Sequence, residues 1–270
     1  MTTTHTPMAG YLKLAGLQFA MTYAYRLQVA GFLVSSLLQI FLLKVVWTAV
    51  YDGRGSVDGV ALPELITFLT VAQLQLLAMQ PMLVWYLEHR IHEGNIGLDL
   101  VRPLPFLGQL LAQQLGATLG YLPFLLVAIP FAVVLGNLGL PASPIAAAVY
   151  LISFLLGYAV AMLIGLLMGL VAFWTVQTLG VAVIYRFAAQ FFGGALIPLF
   201  LMPDGLRVIA ELMPFQAQAH IPLSIYTGRI VEADAIARAL GLQLFWVGAL
   251  AVLAWLTWQR ARRIVTVFGG

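Results

Sequence analysis

Apolar residues run along this chain in long stretches separated by short polar passages, and the stretches are far longer than the strands or core helices of a water-soluble domain. A helix that crosses a bilayer needs about 20 predominantly apolar residues. Six stretches reach that length: 27–47, 66–87, 107–135, 145–171, 179–201 and 240–258. Turn chemistry separates them, with DGRGSVDG at 52–59, GNLGLPASP at 136–144 and a long polar segment at 203–238. The weakest break, FWTVQT at 173–178, lies between the fourth and fifth. The pattern predicts an all-α polytopic membrane protein, with six transmembrane helices forming a single transmembrane domain over residues 1–270.

Two segments outside the spans also carry a helical period. In residues 8–25, Gln18, Thr22 and Arg26 make a polar stripe, and Leu14, Leu17 and Met21 occupy another face. Such a helix is expected to lie along the inner membrane surface, the alternative being a plain extension of the first span. Within 203–238, MPDGLRVIAELMPFQAQAH places Leu206, Ile209, Ala210 and Met213 at helical spacing but is too short to cross. It is expected to form a re-entrant outer hairpin between spans five and six. Pro123 and Pro130 are expected to kink the third span, and Gly193, Gly194 and Pro198 to break the outer half of the fifth. Irregular backbone at that depth must be covered by protein or line a wet cavity. Gly193, Gly194, Pro198, Pro203, Pro214 and Phe215 are therefore candidate gate residues.

Composition agrees with the spans. The chain is 62% hydrophobic and 9% charged, with a mean hydropathy of +0.99, against about 25% charged residues in a typical soluble domain. The surface must mostly face lipid, so the bilayer itself is a partner. The 13 Lys and Arg are scattered, without a basic patch interleaved with aromatics, so nucleic acid is not an expected partner. Cysteine is absent, which removes disulfides and thiolate metal sites. MTTTHTPMAG does not read as a cleaved signal, and the first span is expected to serve for targeting.

Loop charge then orients the spans. With the N-terminus cytoplasmic, that side holds Lys13, Arg26, Arg90, Arg102, Arg186, Arg260, Arg262 and Arg263, eight in all. The outer side holds four: Arg54, Arg207, Arg229 and Arg238. Both termini are therefore expected in the cytoplasm, and so is the charged passage EHRIHEGNIGLDLVRPLP at 88–105.

Inside the spans, charge is sparse. Lys44, beside Trp47, and Arg186 are each placed to snorkel toward a membrane face. No buried Asp, Glu or His relay of the kind that proton-coupled transporters use is evident. Uncharged polar residues are more frequent. Ser35 and Gln39 share a face of span one, and Thr67, Thr70, Gln73 and Gln80 a face of span two. They either bond between helices or line a path for an amphipathic substrate, for which Gln39, Thr70, Gln73 and Gln80 are the candidates. Gly116 and Gly120, and the ridge Gly157, Ala161, Gly165 and Gly169, suit close helix contacts within one subunit.

Catalytic chemistry finds no foothold. The chain contains no GxxxxGK[ST], GxSxG or HExxH. His89 and His92 can share a helix face, but no third ligand stands near them, and His5 and His220 lie elsewhere. No metal site is expected. Glu88, Glu93 and Asp99 lack a nucleophile or anion-binding loop, so no catalytic residue is assigned and the chain is not expected to be an enzyme. The passage reads better as a mechanical part. A helix through Glu93 turns at Gly94–Asn95, a short apolar turn follows, and Arg102-Pro103-Leu-Pro105 stiffens the return. The mixed charges of Glu88, Arg90, Glu93, Asp99 and Arg102 suit docking into a partner's groove.

In combination these features resemble the type-2 exporter permeases of the ATP-binding-cassette (ABC) transporters. The segment I-x-E-G-N-I-G-L-D-L-V-R-P-L at 91–104 is similar to their cytoplasmic coupling helix, and Phe173-Trp174-Thr175 to a motif near the end of span four. Gly193-Gly194 through Pro198, then Pro203 and Leu212-Met-Pro214-Phe215, resemble their span-five break and outer hairpin. The ending from Arg262-Arg263 to Gly-Gly resembles the basic tail of one bacterial branch. The resemblance implies a multi-pass protein of the bacterial cytoplasmic (inner) membrane, paired with a second permease subunit, identical or homologous. It implies two copies of a separate ABC ATPase that bind ATP and Mg, with no cofactor held by this chain. It also implies that Glu93, Gly94, Asn95, Asp99, Arg102 and Pro103 form the ATPase-docking element, with the 8–25 helix lying against the ATPase as well. The expected function is export of an amphipathic or lipid-like substrate. The alternative is a membrane assembly or sensor component whose ATPase-driven motion moves no substrate.

Overall fold

In a computed structural model, residues 7–57, 59–80, 82–175 and 178–268 are described, and nearly all of them are helical or in tight turns. Helix α1 (Pro7–Ala24) leads into α2 (Arg26–Tyr51), and a two-residue antiparallel hairpin, Ser56–Val57 with Val60–Ala61, joins α2 to α3 (Leu62–Ala78). Then come α4 (Met82–His92), the short α5 (Ile96–Val101), α6 (Phe106–Gly136) and α7 (Pro144–Val171). After α8 (Leu179–Phe192), a 3-10 turn (Leu199–Leu201) and three short helices follow: α9 (Asp204–Glu211), α10 (Phe215–Gln218) and α11 (His220–Tyr226). Helix α12 (Ala233–Phe268) ends the fold.

Among the described residues, five helical stretches are long and apolar enough to cross a membrane: α2, α3 together with α4, α6, α7 and most of α12. The expected fifth span differs. Helix α8 stops at Phe192, and at about 1.5 Å per residue its 14 residues reach only about 21 Å. Gly193 and Gly194 end it, the latter at φ 79°, a left-handed conformation that favours glycine.

The second span also departs from expectation, because it is not one helix. Helix α3 ends at Ala78 and α4 begins at Met82, around a proline at 81 that has no N–H to donate. The side chain of Gln114 on α6 replaces the lost ladder. Its Nε2 donates to the Gln80 carbonyl (2.7 Å), and its Oε1 accepts from the Leu83 N–H (3.3 Å). A break at membrane depth is tolerated when its freed backbone groups are bonded again. By contrast, α6 runs on through Pro123 and Pro130.

Helices α3 and α4 form the most enclosed span, with α2 and α6 on one side and α7, backed by α12, on the other. One apolar cluster, around Leu65, Phe68, Leu69 and Leu223, fills one end of the bundle. Another, around Leu83, Leu87, Phe106, Leu110, Leu166 and Leu170, fills the end next to α5. Small residues set the helix approaches, all within the subunit. A side chain on Gly116 would overlap the Ala15 carbonyl, one on Gly120 would strike Thr22, and one on Gly169 would meet Leu83 and Leu87. These contacts also show what the N-terminal helix packs against. With Gly108 against Tyr11, Gly116 against Ala15 and Gly120 against Thr22, α1 runs lengthwise beside the first half of α6, in the same direction. The pairing fits the sequence. Glycines on α6 leave a groove that α1 fills, which contributes more packing than a helix alone on a membrane surface would make.

Candidate functional site: a polar cavity joined to a charged elbow

A cavity of about 440 Å³ lies between α2, the α3–α4 break and α8. Three of the four residues expected on a substrate path line it: Gln39, Gln73 and Gln80. Thr70 does not. It faces α6, where its hydroxyl donates to the Gly136 carbonyl (3.0 Å) and acts as interhelical glue. Gln28 and Ser35 extend the polar wall along α2, Arg186 and Gln190 contribute from α8, and Gln218 reaches in from α10. Phe32, Met82 and Trp85 form an apolar side. A concave site with a few polar groups set among apolar ones is the usual form of a small-molecule site.

Helix α4 leaves this cavity and runs directly into the charged passage. At its end the chain turns at Gly94 (φ 69°), and α5 folds back under α4. The fold-back is fastened by one carboxylate. Asp99 is 1% exposed, and Arg90 grips it through two hydrogen bonds, Nε to Oδ2 (2.8 Å) and Nη2 to Oδ1 (2.9 Å). Arg102 adds an ion pair at 3.0 Å, and the Tyr86 hydroxyl donates to Oδ2 at 3.3 Å. Gln109, on the first turn of α6, donates to the backbone carbonyls of Asp99 and Leu104. Arginine and carboxylate meet in two-point geometry here, among the stronger and more directional polar contacts available.

A family model described as "ABC-2 family transporter protein" matches residues 8–267. The chain belongs to the ABC-2 transporter family. It is thus a multi-pass membrane protein and a transporter permease, and membership implies an ABC ATPase as its partner. A search of curated proteins found no match.

Within this ABC-2 permease, the docking residues expected from sequence divide into two groups. Asp99 and Arg90 point into the elbow and hold it together. Glu93, Gly94, Arg102 and Pro103 are exposed, and Asn95 bonds to Glu93 through its side chain (2.9 Å). Glu88 turns back to accept from the Thr178 hydroxyl, tying α4 to the start of α8. His89 pairs with Glu93 at 3.1 Å. Among the described residues no group of three or more His, Asp or Glu side chains is arranged to hold a metal. His5 lies outside the described residues.

The sequence reading missed two residues at the tip. Leu98 is 65% and Val101 84% exposed, on a six-residue helix whose one charged residue, Asp99, faces inward. The available signal was apolar side chains in a passage assigned to water, where none of the described residues covers them. Phe173, Trp174 and Thr175 line a second hollow of about 350 Å³ together with Glu88 and Ile91.

The expected gate residues lie apart from the main cavity. The Phe192 and Phe215 rings stack at 6.4 Å, and the Gly193 backbone passes close to the Phe215 carbonyl. Pro198, Pro203 and Pro214 each stand immediately before a short helix. Gln73 links this region to α3 by donating to the Ala195 carbonyl (3.3 Å). Helices α10 and α11 are buried against α7 and α3, so the irregular backbone is covered by protein. Lys44 has a partner within the chain, donating to Asn137 Oδ1 at 2.9 Å.

Proposed function

We propose that the chain is the membrane permease subunit of an ATP-driven exporter for an amphipathic or lipid-like substrate, with ATP and Mg bound and hydrolysed in a separate ATPase subunit. The chain itself performs no catalysis. The single observation that carries this reading is the double position of α4: its first turns, through Met82 and Trp85, wall the cavity, and its last turn is clamped to the exposed tip of α5. A push on the tip is thereby delivered to the cavity wall. In this reading both termini face the cytoplasm of a bacterial inner membrane, and α8 with residues 193–201 completes a sixth crossing. The α9–α11 segment re-enters from the outer face. Two ATPase copies and a second permease subunit, identical or homologous, complete the transporter.

The ATPase is proposed to seat on Leu98, Val101 and Pro103, with Glu93 and Arg102 at the rim. Covering a Leu or Val side chain contributes about 1.5–3 kcal/mol, whereas an exposed rim charge contributes about 0–1 kcal/mol. Leu98→Asp or Val101→Asp is expected to weaken co-purification of the ATPase at least about tenfold, and Glu93→Lys by only a few-fold. Undiminished ATPase retention in the double aspartate variant would place the docking surface elsewhere. Transport is tested in proteoliposomes holding the purified complex, with ATP-dependent accumulation of an amphiphile as the expected result. Stimulated hydrolysis that moves no member of a broad amphiphile panel would instead establish an assembly or sensor role.

A further inference from the structure

The chemistry of the cavity is unbalanced. Arg186 is the one charged residue lining it; no Asp or Glu joins it there. Arg186 has no carboxylate within ion-pair distance among the described residues. Arg186 is exposed, and an arginine within a span that has no carboxylate partner is a candidate functional site.

A second, independent group in the same cavity lacks the same kind of partner. Gln218 is 2% exposed, and its Oε1 accepts from the Tyr185 hydroxyl (3.2 Å). Its backbone carbonyl accepts from Gln75. Its Nε2 has no acceptor among the described residues. A buried amide N–H left without an acceptor carries a desolvation penalty that a ligand oxygen removes. Among the described residues the cavity thus has one full positive charge and, buried within its wall, one unused donor, with no fixed negative charge to answer them. Phe32, Met82 and Trp85 supply the apolar surface for a hydrocarbon tail.

Building on the exporter reading above, we propose that this cavity selects amphiphiles whose headgroup carries an oxyanion, a phosphate or a carboxylate. Arg186 neutralises the headgroup and the Gln218 amide donates to one of its oxygens. The planar guanidinium fork suits a two-oxygen anion better than a point charge would. The remaining glutamines, each with a donor and an acceptor, accommodate the uncharged part of the head.

The test uses the full permease–ATPase complex in phosphatidylcholine nanodiscs and four probes: a fluorescent alkyl phosphate, the matched alkyl glycoside, the matched alkyl trimethylammonium, and glycerol phosphate as the tail-less anion. Wild type is expected to bind the alkyl phosphate about tenfold or more tighter than the other three, the range a charge-assisted hydrogen bond supplies. Arg186→Gln should remove that preference while leaving glycoside binding within about twofold, and Arg186→Lys should keep part of it. Gln218→Glu retains the acceptor for Tyr185, removes the free N–H and adds a negative charge to the wall, and is expected to weaken alkyl phosphate binding at least about tenfold. A headgroup preference unchanged in Arg186→Gln overturns the proposal, since the arginine then only reaches bulk bilayer phosphates. Equal binding of the trimethylammonium probe in wild type overturns it too. Glycerol phosphate binding as tightly as the alkyl phosphate overturns the amphiphile half. ATP-dependent transport of the glycoside in proteoliposomes would leave the exporter reading standing in each of these cases. Failure of every amphiphile to bind or move would remove the exporter reading itself.

Discussion

Asp99 shows how a single buried carboxylate turns a loop into a lever. Its two oxygens receive Arg90, Arg102 and Tyr86, and its backbone carbonyl receives Gln109, so α4, α5 and α6 meet at one point. Removing one partner of a buried ion pair costs about 3–5 kcal/mol because the other charge is left uncompensated. Arg90 keeps partial access to water at 19% exposure, so Asp99→Asn is expected at the lower end of that range. The bundle should stay folded, with the elbow loosened. Limited proteolysis within 93–105 should accelerate, and substrate-stimulated ATP hydrolysis should fall several-fold; an unchanged proteolysis rate would show that the clamp is not what holds the elbow. None of this inward geometry was legible from the charges. The sequence displays Glu93 and Asp99 alike, and which of them is buried depends on Arg90 nine residues earlier and Gln109 ten residues later. Leu98 and Val101 were overlooked for the complementary reason: a six-residue helix has too few turns for periodicity to say which face is covered.

At the scale of elements, hydropathy located the long helices well, because apolar length is a property of the sequence alone. It was blind to where the backbone of those helices is bonded. The α3–α4 interruption lies inside one continuous apolar stretch, and its stability comes from Gln114, on a different helix. Hydropathy likewise could not separate α8 from the turn after it, since Gly193 to Leu201 remains apolar while leaving the helix. Under the proposed function the break has mechanical meaning, because the part of the span beyond it carries the elbow clamped by Arg90 and Asp99. Gln114→Leu leaves the Gln80 carbonyl and the Leu83 N–H without their side-chain partner, a loss of about 1–3 kcal/mol. Thermal unfolding of the purified permease should shift several degrees lower, with a disproportionate fall in transport per ATP hydrolysed. Equal falls in transport and hydrolysis would mean that the break is a structural detail and not a joint between cavity and lever.

For the whole molecule, the two ends of the bundle are closed to different degrees. The cavity is walled by the first half of α2, the end of α3 and the start of α4, so in the proposed orientation it sits toward the cytoplasmic side. The far end is sealed by side chains from distant parts of the chain. Arg229 pairs with Glu64 at 2.6 Å and lies over the Phe200 ring at 3.7 Å, and Phe200 in turn meets Phe68 edge-on. The sequence supplied the candidates around this seal, the breaks at 193–203 and 214–215, but not its partners, because Glu64 and Arg229 are joined only by the fold. For a substrate to leave outward, the contact between the start of α3 and the segment before α12 has to open. The chain contains no cysteine, so Glu64→Cys with Arg229→Cys introduces the only thiols, and a short bifunctional maleimide can bridge them. Bridging is expected to stop ATP-dependent transport while leaving the ATPase bound and amphiphile binding to the cavity within about twofold, since the bridge removes an exit and not the site. The two single-cysteine variants treated with the same reagent should keep most of their transport. If the bridged protein turns over at the rate of the untreated double variant, the cargo leaves without separating Glu64 from Arg229, and the exit lies along the lipid-facing side of α2 and α8 instead.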